Sequence, residues 1–319
     1  MNNNGQTNVG KIAHNLMFSV LLICAQCVFW HSPKAHAADK ILAWGDLNYS
    51  VAPIPAHQKK ACVTQIAAGS FHSLLLKNDG SVAAWGDNRF GQTNLPPCVN
   101  VKKAVAIAAG NVHNLALLRN GTVVAWGPGT GAYGDYGQTQ VPAGLGNVAA
   151  VAAGAVHSLA LKRDGTVVAW GEDADGQCQV PRGLNHVVAV AGGSHHSLAL
   201  KDNGRVVAWG DDSWGQTEVP AGLKNVVAIA ACGFHSLALK SDGTVVSWGT
   251  YGLAQFPVPA GLNNVVALAT GDYHSLALKR DGTVVIWGFN RAGQLRAPAT
   301  LHDVAAIAAR GSHSLALVE

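Results

Sequence analysis

The stretch HSLALKSDGTVVSWG at residues 235–249 decides the fold. His235 opens an apolar run that ends at Lys240, Asp242-Gly243 is a two-residue hairpin signal, and Val245–Trp248 is the returning strand. The pattern recurs along the chain. A His opens the run at His72, His113, His157, His196, His235, His274 and His313, and a Trp-Gly pair closes a strand at Trp44, Trp85, Trp126, Trp170, Trp209, Trp248 and Trp287. Six His residues are each followed by a Trp 13 positions later. That leaves His313 without a following Trp and Trp44 without a preceding His, and the two complete each other if the array closes on itself. An open array needs polar caps at both ends, whereas a ring needs none. The reading is therefore all-β: a seven-bladed β-propeller closed by Ile41–Trp44 lying beside His313–Val318, with about four short antiparallel strands per blade. The fourth of these is a weak outer strand such as the one ending at Val258-Pro259-Ala260, where an edge tolerates Pro.

Residues 1–37 read as a cleaved signal peptide and 38–319 as one propeller domain. Lys11 and His14 precede the apolar run Leu16–Trp30, and Ala35-His36-Ala37 is a small-residue cleavage pattern. The run is too short for a comfortable membrane span, so the expected location is secreted or periplasmic, without membrane attachment after cleavage. The chain carries a net charge of +4, and removal of Lys11 and Lys34 leaves +2. So small a charge argues against nucleic acid as the main partner.

Cleavage leaves Cys62, Cys98, Cys178 and Cys232. Later blades use 26 residues from Trp to the next His, but Trp44–His72 and Trp85–His113 use 28, and each enlarged connector holds one Cys. Export permits disulfides, and the matched enlargements predict a Cys62–Cys98 bridge. No close Cys-Cys or Cys-His pair supplies a zinc ligand set, and no cofactor or metal is expected.

Strand parity places the Gly-x-x-His loops and the loops after Trp-Gly on one face, the top, and the hairpin turns on the other. The aromatic residues that do not repeat collect on the top: Tyr49, Phe71, Phe90, Tyr133, Tyr136, Phe234, Tyr251, Tyr273, Phe289 and the extra Trp214. Acids join them, among them Asp87 and Asp211, while the bottom turns lean basic with residues such as Lys162 and Arg163. A scaffold needs the same residue in every copy, and a binding site does not. Exposed aromatics on a rigid ring are how protein interfaces are built. These residues are thus the candidate contacts of one protein partner with a basic or mixed surface, the propeller itself being a monomer.

Catalysis is not expected. The repeated His-Ser pairs read as packing elements, because seven equivalent positions on a ring diverge from any single point. The extra His195 beside Asp173 or Asp175 has no nucleophile to serve. Two other readings are a lectin-like propeller, which favours a similar pocket in every blade, and a lyase-type enzyme centred on His195.

The string IAAGSFHSL at 66–74, echoed around the ring, resembles the repeat of the regulator of chromosome condensation (RCC1) family. The units are short, with Val-Pro-Ala-Gly-Leu connectors at 141–145, 219–223 and 258–262, and in this they are most similar to secreted seven-bladed inhibitors of class A β-lactamases. That resemblance implies a β-lactamase-like enzyme as partner, with Phe71, Phe90, Trp214, Phe234 and Tyr273 at contact positions. Nuclear members of the superfamily exchange nucleotide on a small GTPase; a leader and the lack of a basic tail argue against that role. Two departures stand out. The loop Gly127–Gly137 is about five residues longer than its counterparts, and Cys232 and Arg310 stand where other copies have Gly.

Overall fold

The first strand of most units, for example Val226–Cys232, is apolar throughout and buried at every residue but its second, because it is covered on both sides. In a computed structural model, which describes residues 40–46, 62–100, 103–250 and 257–319, these strands are the innermost members of seven three-stranded antiparallel sheets. Blade one comprises Val63–Ala68, His72–Lys77 and Val82–Gly86; blade five comprises Val226–Cys232, His235–Lys240 and Val245–Trp248. First strands of successive blades touch in an unbroken cycle, the last contact joining Val304–Arg310 to Val63–Ala68. Every first strand also shifts register after its opening residue, a bulge repeated in all seven sheets.

The ring closes as the repeat requires. Lys40–Gly45 pairs antiparallel with His313–Val318, in register from Lys40 opposite Val318 to Gly45 opposite His313. The core is divided among the seven junctions between blades rather than held in one centre. At the closing junction Ile41, Leu315 and Leu317 of blade seven pack on Ile66, Leu75 and Trp85 of blade one. Trp44 fills the junction with blade six beside Leu276 and Ile307.

Two expectations fail here. The outer segments form no fourth strand among the described residues: Val258 and Pro259 lie outside any strand, and the equivalent segment at 139–147 is a chain of turns. Pro142 has no N–H for a ladder, its carbonyl accepts from Leu145 N at 3.1 Å, and Gly144 sits at φ +77°. The segment therefore folds back rather than extending. The Cys62–Cys98 bridge is also absent, for both thiols are free. The extra length of the second connector instead builds a helical turn, Pro97–Asn100, that buries Val99 fully in the junction between blades one and two and leaves Cys98 exposed.

A candidate partner-binding face built on a glutamine frame

The loops assigned to one face by parity do meet there. In five blades the residue after Trp-Gly donates its N–H to the carbonyl of the residue before the repeat His: Asp46 to Ser312 (2.9 Å), Asp87 to Phe71 (2.8 Å), Glu172 to Val156 (3.1 Å), Asp211 to His195 (2.9 Å) and Phe289 to Tyr273 (2.8 Å). On the opposite face, hairpin glycines accept from the next blade, as when Gly243 O receives Val265 N at 3.1 Å.

Beneath the top loops lies a recurrent buried Gln: Gln92, Gln138, Gln177, Gln216 and Gln294, none more than 1% exposed. Its side-chain oxygen accepts the N–H of the residue two before it, which is Phe90, Tyr136, Asp175, Trp214 or Ala292, at 2.7–2.9 Å. In three blades its amide donates to the acid that heads the loop, Asp87 (3.2 Å), Glu172 (3.1 Å) or Asp211 (2.7 Å). Its backbone carbonyl accepts the indole N–H of the next blade, Trp126, Trp170, Trp209, Trp248 or Trp44, at 2.9–3.0 Å. One residue thus fixes the loop above with its side chain and ties two blades together with its backbone carbonyl. The residue at the apex makes none of these bonds with its own side chain, so it is free to vary on a constant frame.

The repeat His residues form a second ring. Each Nε2 meets the polar residue after the next blade's His: His113 with Ser158 (3.1 Å), His157 with Ser197, His196 with Ser236 and His235 with Ser275 (3.0 Å each), and His274 with Ser314 (2.7 Å). His313 with Ser73 (3.3 Å) and His72 with Asn114 Oδ1 (2.6 Å) complete the circle. An amide oxygen only accepts, so His72 carries its proton on Nε2. Ser158, Ser197 and Ser236 donate onward to Gln138 O, Gln177 O and Gln216 O at 2.9–3.0 Å, which gives their His partners the same tautomer. Burial lowers all seven imidazoles, to about 4 for His72 and His235 and about 3 for His157 and His274, so they are neutral near pH 7. Each Nε2 is committed to its neighbour, and the ring is scaffold.

Of the sequence candidates, Tyr49 and Tyr251 lie outside the described residues. Tyr133, Tyr136, Trp214 and Phe71 are exposed, at 89%, 52%, 40% and 38%, and they are the largest apolar side chains exposed on the molecule's described surface. Phe90 is half-buried and stacks on Tyr133 with ring centroids 6.1 Å apart, so the long loop leans on the apex of blade one. Tyr273 and Phe289 meet edge to face at 6.4 Å and pack on the core between blades five and six; Arg291 lies over Phe289. They cover a blade end and leave an edge in solvent. Phe234 is half-buried.

Asp87 and Asp211 are not the outward charges that their positions suggest. Asp87 has 8% of its side chain exposed, accepts from Gln92 and pairs with Arg89 at 3.0 Å; Asp211 is held by Gln216 and Ser213. Those hydrogen bonds hold both carboxyls below the usual range, against a desolvation penalty that acts first and upward. The outward acids are Asp173, Asp175 and Asp212. Asp175 and Glu172 flank His195 Nδ1 at 3.1 and 3.4 Å, bridging blades three and four, whereas Asp173 caps Cys178 N. The face is therefore sectored: aromatic over blades one and two, charged between three and four, and aromatic again from Trp214 to Phe289.

Sequence reading missed the Gln frame, although the signal was present as Gly-Gln at 91–92, 137–138, 176–177, 215–216 and 293–294. The regulator of chromosome condensation (RCC1) repeat matches residues 63–92, 104–138, 148–177, 187–216, 226–250 and 265–294, more than half of the chain. The chain belongs to the RCC1-repeat family. Each match except that at 226–250 ends on a frame Gln. Among curated proteins none matches the sequence. Among solved structures, Prp20p from Saccharomyces cerevisiae, described with its binding properties to Gsp1p and histones, is 23% identical with a TM-score of 0.72, covering 88% of this chain and 92% of its own. Yeast RCC1 (Prp20) bound to Kap60 gives 21%, 0.72, 99% and 97%, and human WBSCR16 gives 19%, 0.69, 88% and 99%. At such identities these likenesses speak for the RCC1-like propeller fold alone.

Proposed function

We propose that this RCC1-repeat protein is a secreted binding propeller that seats one protein partner on its top face and has no catalytic role of its own. The observation that carries the reading is the apex position two residues before each frame Gln. There a constant hydrogen-bonded loop presents Phe90, Tyr136, Asp175, Trp214 and Ala292 in turn. A sugar-binding ring would repeat one pocket, whereas unlike residues on a repeated frame suit a single large and irregular surface. Rigid aromatics lose little conformational entropy on burial and serve as anchors.

The partner we propose is an exported enzyme, with a class A β-lactamase as the first to test. The leader-like segment and the short Val-Pro-Ala-Gly-Leu units support this choice. The mature protein should be titrated by calorimetry against a purified class A β-lactamase, with hydrolysis followed in parallel. Saturable one-to-one binding with loss of hydrolysis is expected. If heat and activity stay unchanged at micromolar concentrations, the enzyme assignment fails. A panel of soluble glycans that does bind would overturn the protein-partner reading as well.

A further inference from the structure

The bulge in each inner strand falls just after the opening residue, and in three blades the residue it pushes out is an exposed valine: Val105 (44%), Val188 (41%) and Val227 (41%). The opening residue beside each donates its N–H to the hairpin glycine of the preceding blade, so these valines emerge on the bottom face around the axis. Two clefts continue the apolar arc. Between blades five and six lies one of about 280 Å³, lined by Val227, Leu239 and Val266. Between six and seven lies one of about 220 Å³, lined by Val266, Leu278 and Ala305, and Arg280 borders both. Both fall below the roughly 300–1,000 Å³ of a small-molecule pocket and suit a single inserted side chain.

The two faces also differ in charge. Among the described residues the top loops carry nine carboxylates against three arginines, one of them the buried Arg310. The six hairpin turns at the bottom carry nine Lys and Arg against five Asp. The molecule is therefore acidic and aromatic at one end of its axis, and basic with exposed valines at the other. Each end offers what the other lacks: Trp214 and Tyr133 project from the top, 40% and 89% exposed, and apolar clefts with a basic rim open at the bottom.

We propose that the bottom face of one copy of this chain docks on the top face of another, head to tail. Exposed aromatics of the top enter the valine-lined clefts, and the outward acids Asp173, Asp175 and Asp212 meet the basic hairpins. A contact between two unlike faces does not close on itself, so further copies add at either end. The monomer expected from the sequence then holds in dilute solution only. The inference concerns a second copy of the chain and stands apart from the identity of the partner, with which stacking would compete for the top aromatics.

The test is analytical sedimentation of the mature protein at rising concentration, up to about 0.2 mM. At about 0.01 M salt, where charges act over about 30 Å, the average mass should climb past the dimer without a plateau. Raising the salt to about 0.1 M cuts that reach to about 10 Å and should weaken association about tenfold. Trp214→Lys spoils the top alone and Val227→Glu the bottom alone, so each variant should stay monomeric. Their equimolar mixture should form a one-to-one dimer and stop there, because only one pair of intact faces remains. A monomeric wild type throughout, a mass that levels off at the dimer, variants that associate like the parent, or a mixture that stays monomeric would each overturn the proposal. Both positions are exposed, and thermal melts check that the variants fold. Should one not fold, the concentration and salt dependence of the wild type decides.

Discussion

Acid should take this propeller apart through its histidine ring, well before its carboxylates titrate. The seven imidazoles are buried and neutral in the fold: six are held down to about 3 or 4, and His113 lies well below the 6.5 at which a free His titrates. A depressed folded-state pKa means that the unfolded chain binds the proton first. Stability is then whole above pH 6.5 and falls as the pH drops from 6.5 toward 4. Each imidazole forfeits about 1.4 kcal/mol per pH unit in that window. At pH 5.5 the ring together loses roughly 9 kcal/mol by that rule, comparable to the entire stability of an ordinary domain. Unfolding there should take up about six protons. The exposed Asp164 and Asp281, lowered to about 2 by their Thr and Lys hydrogen bonds, lose their contribution only below about pH 4, outside this window. The blade tryptophans, buried in the junctions, report the transition by fluorescence as the pH is stepped from 7.5 to 4.5. A cooperative red shift centred between pH 5 and 6 is expected. A thermal midpoint at pH 5 equal to that at pH 7.5 would show that the ring does not hold its histidines neutral, and the tautomer assignment would fall with it.

Other consequences are separately checkable. Trp44→Ala removes both the packing against blade six and the hydrogen bond to Gln294 O, and by the usual cost of such truncations should lose about 3–5 kcal/mol in denaturant titration. Deleting residues 38–46 should go further, exposing the edge at His313–Val318 and causing aggregation at the temperature where the parent stays soluble. Thiol titration of the unreduced protein should find Cys62, Cys98, Cys178 and Cys232 all free, with Cys98 reacting first. Cys178 should lag, because burial and then Asp173 and Glu172 push its thiol up to about 12. Gln216→Ala should loosen the loop carrying Trp214, weakening partner binding while leaving the other apexes fixed.

The repeat made the ring and its closure legible, since one period of His and Trp already fixes which strands must pair. It misled where residues serve more than one end. Pro142 and Pro259 were tolerable at an edge in principle, but Pro followed by Gly at positive φ folds the segment back. Matched connector lengths suggested a disulfide, yet spacing measures how much chain a connector holds and says nothing of where its sulfurs lie. The acids Asp87 and Asp211 were placed with the top loops as partner contacts, but the Gln side chains that hold them inward went unread. Arg310 was visible only as an exception to Gly; its partners, Asn111 and Ala153, come from blades far away in sequence.

The central claim is that the top face, and not the bottom, seats the partner. Its most direct measure is the affinity of the mature protein for that partner with Trp214→Ala and Phe90→Ala set beside the double change Lys162→Ala and Arg163→Ala. Truncating an apex anchor should cost about 2 kcal/mol, roughly a thirtyfold loss of affinity, with the melting temperature unchanged. The basic pair should leave binding as it was. Binding that survives both top substitutions and weakens with the bottom pair would contradict the account.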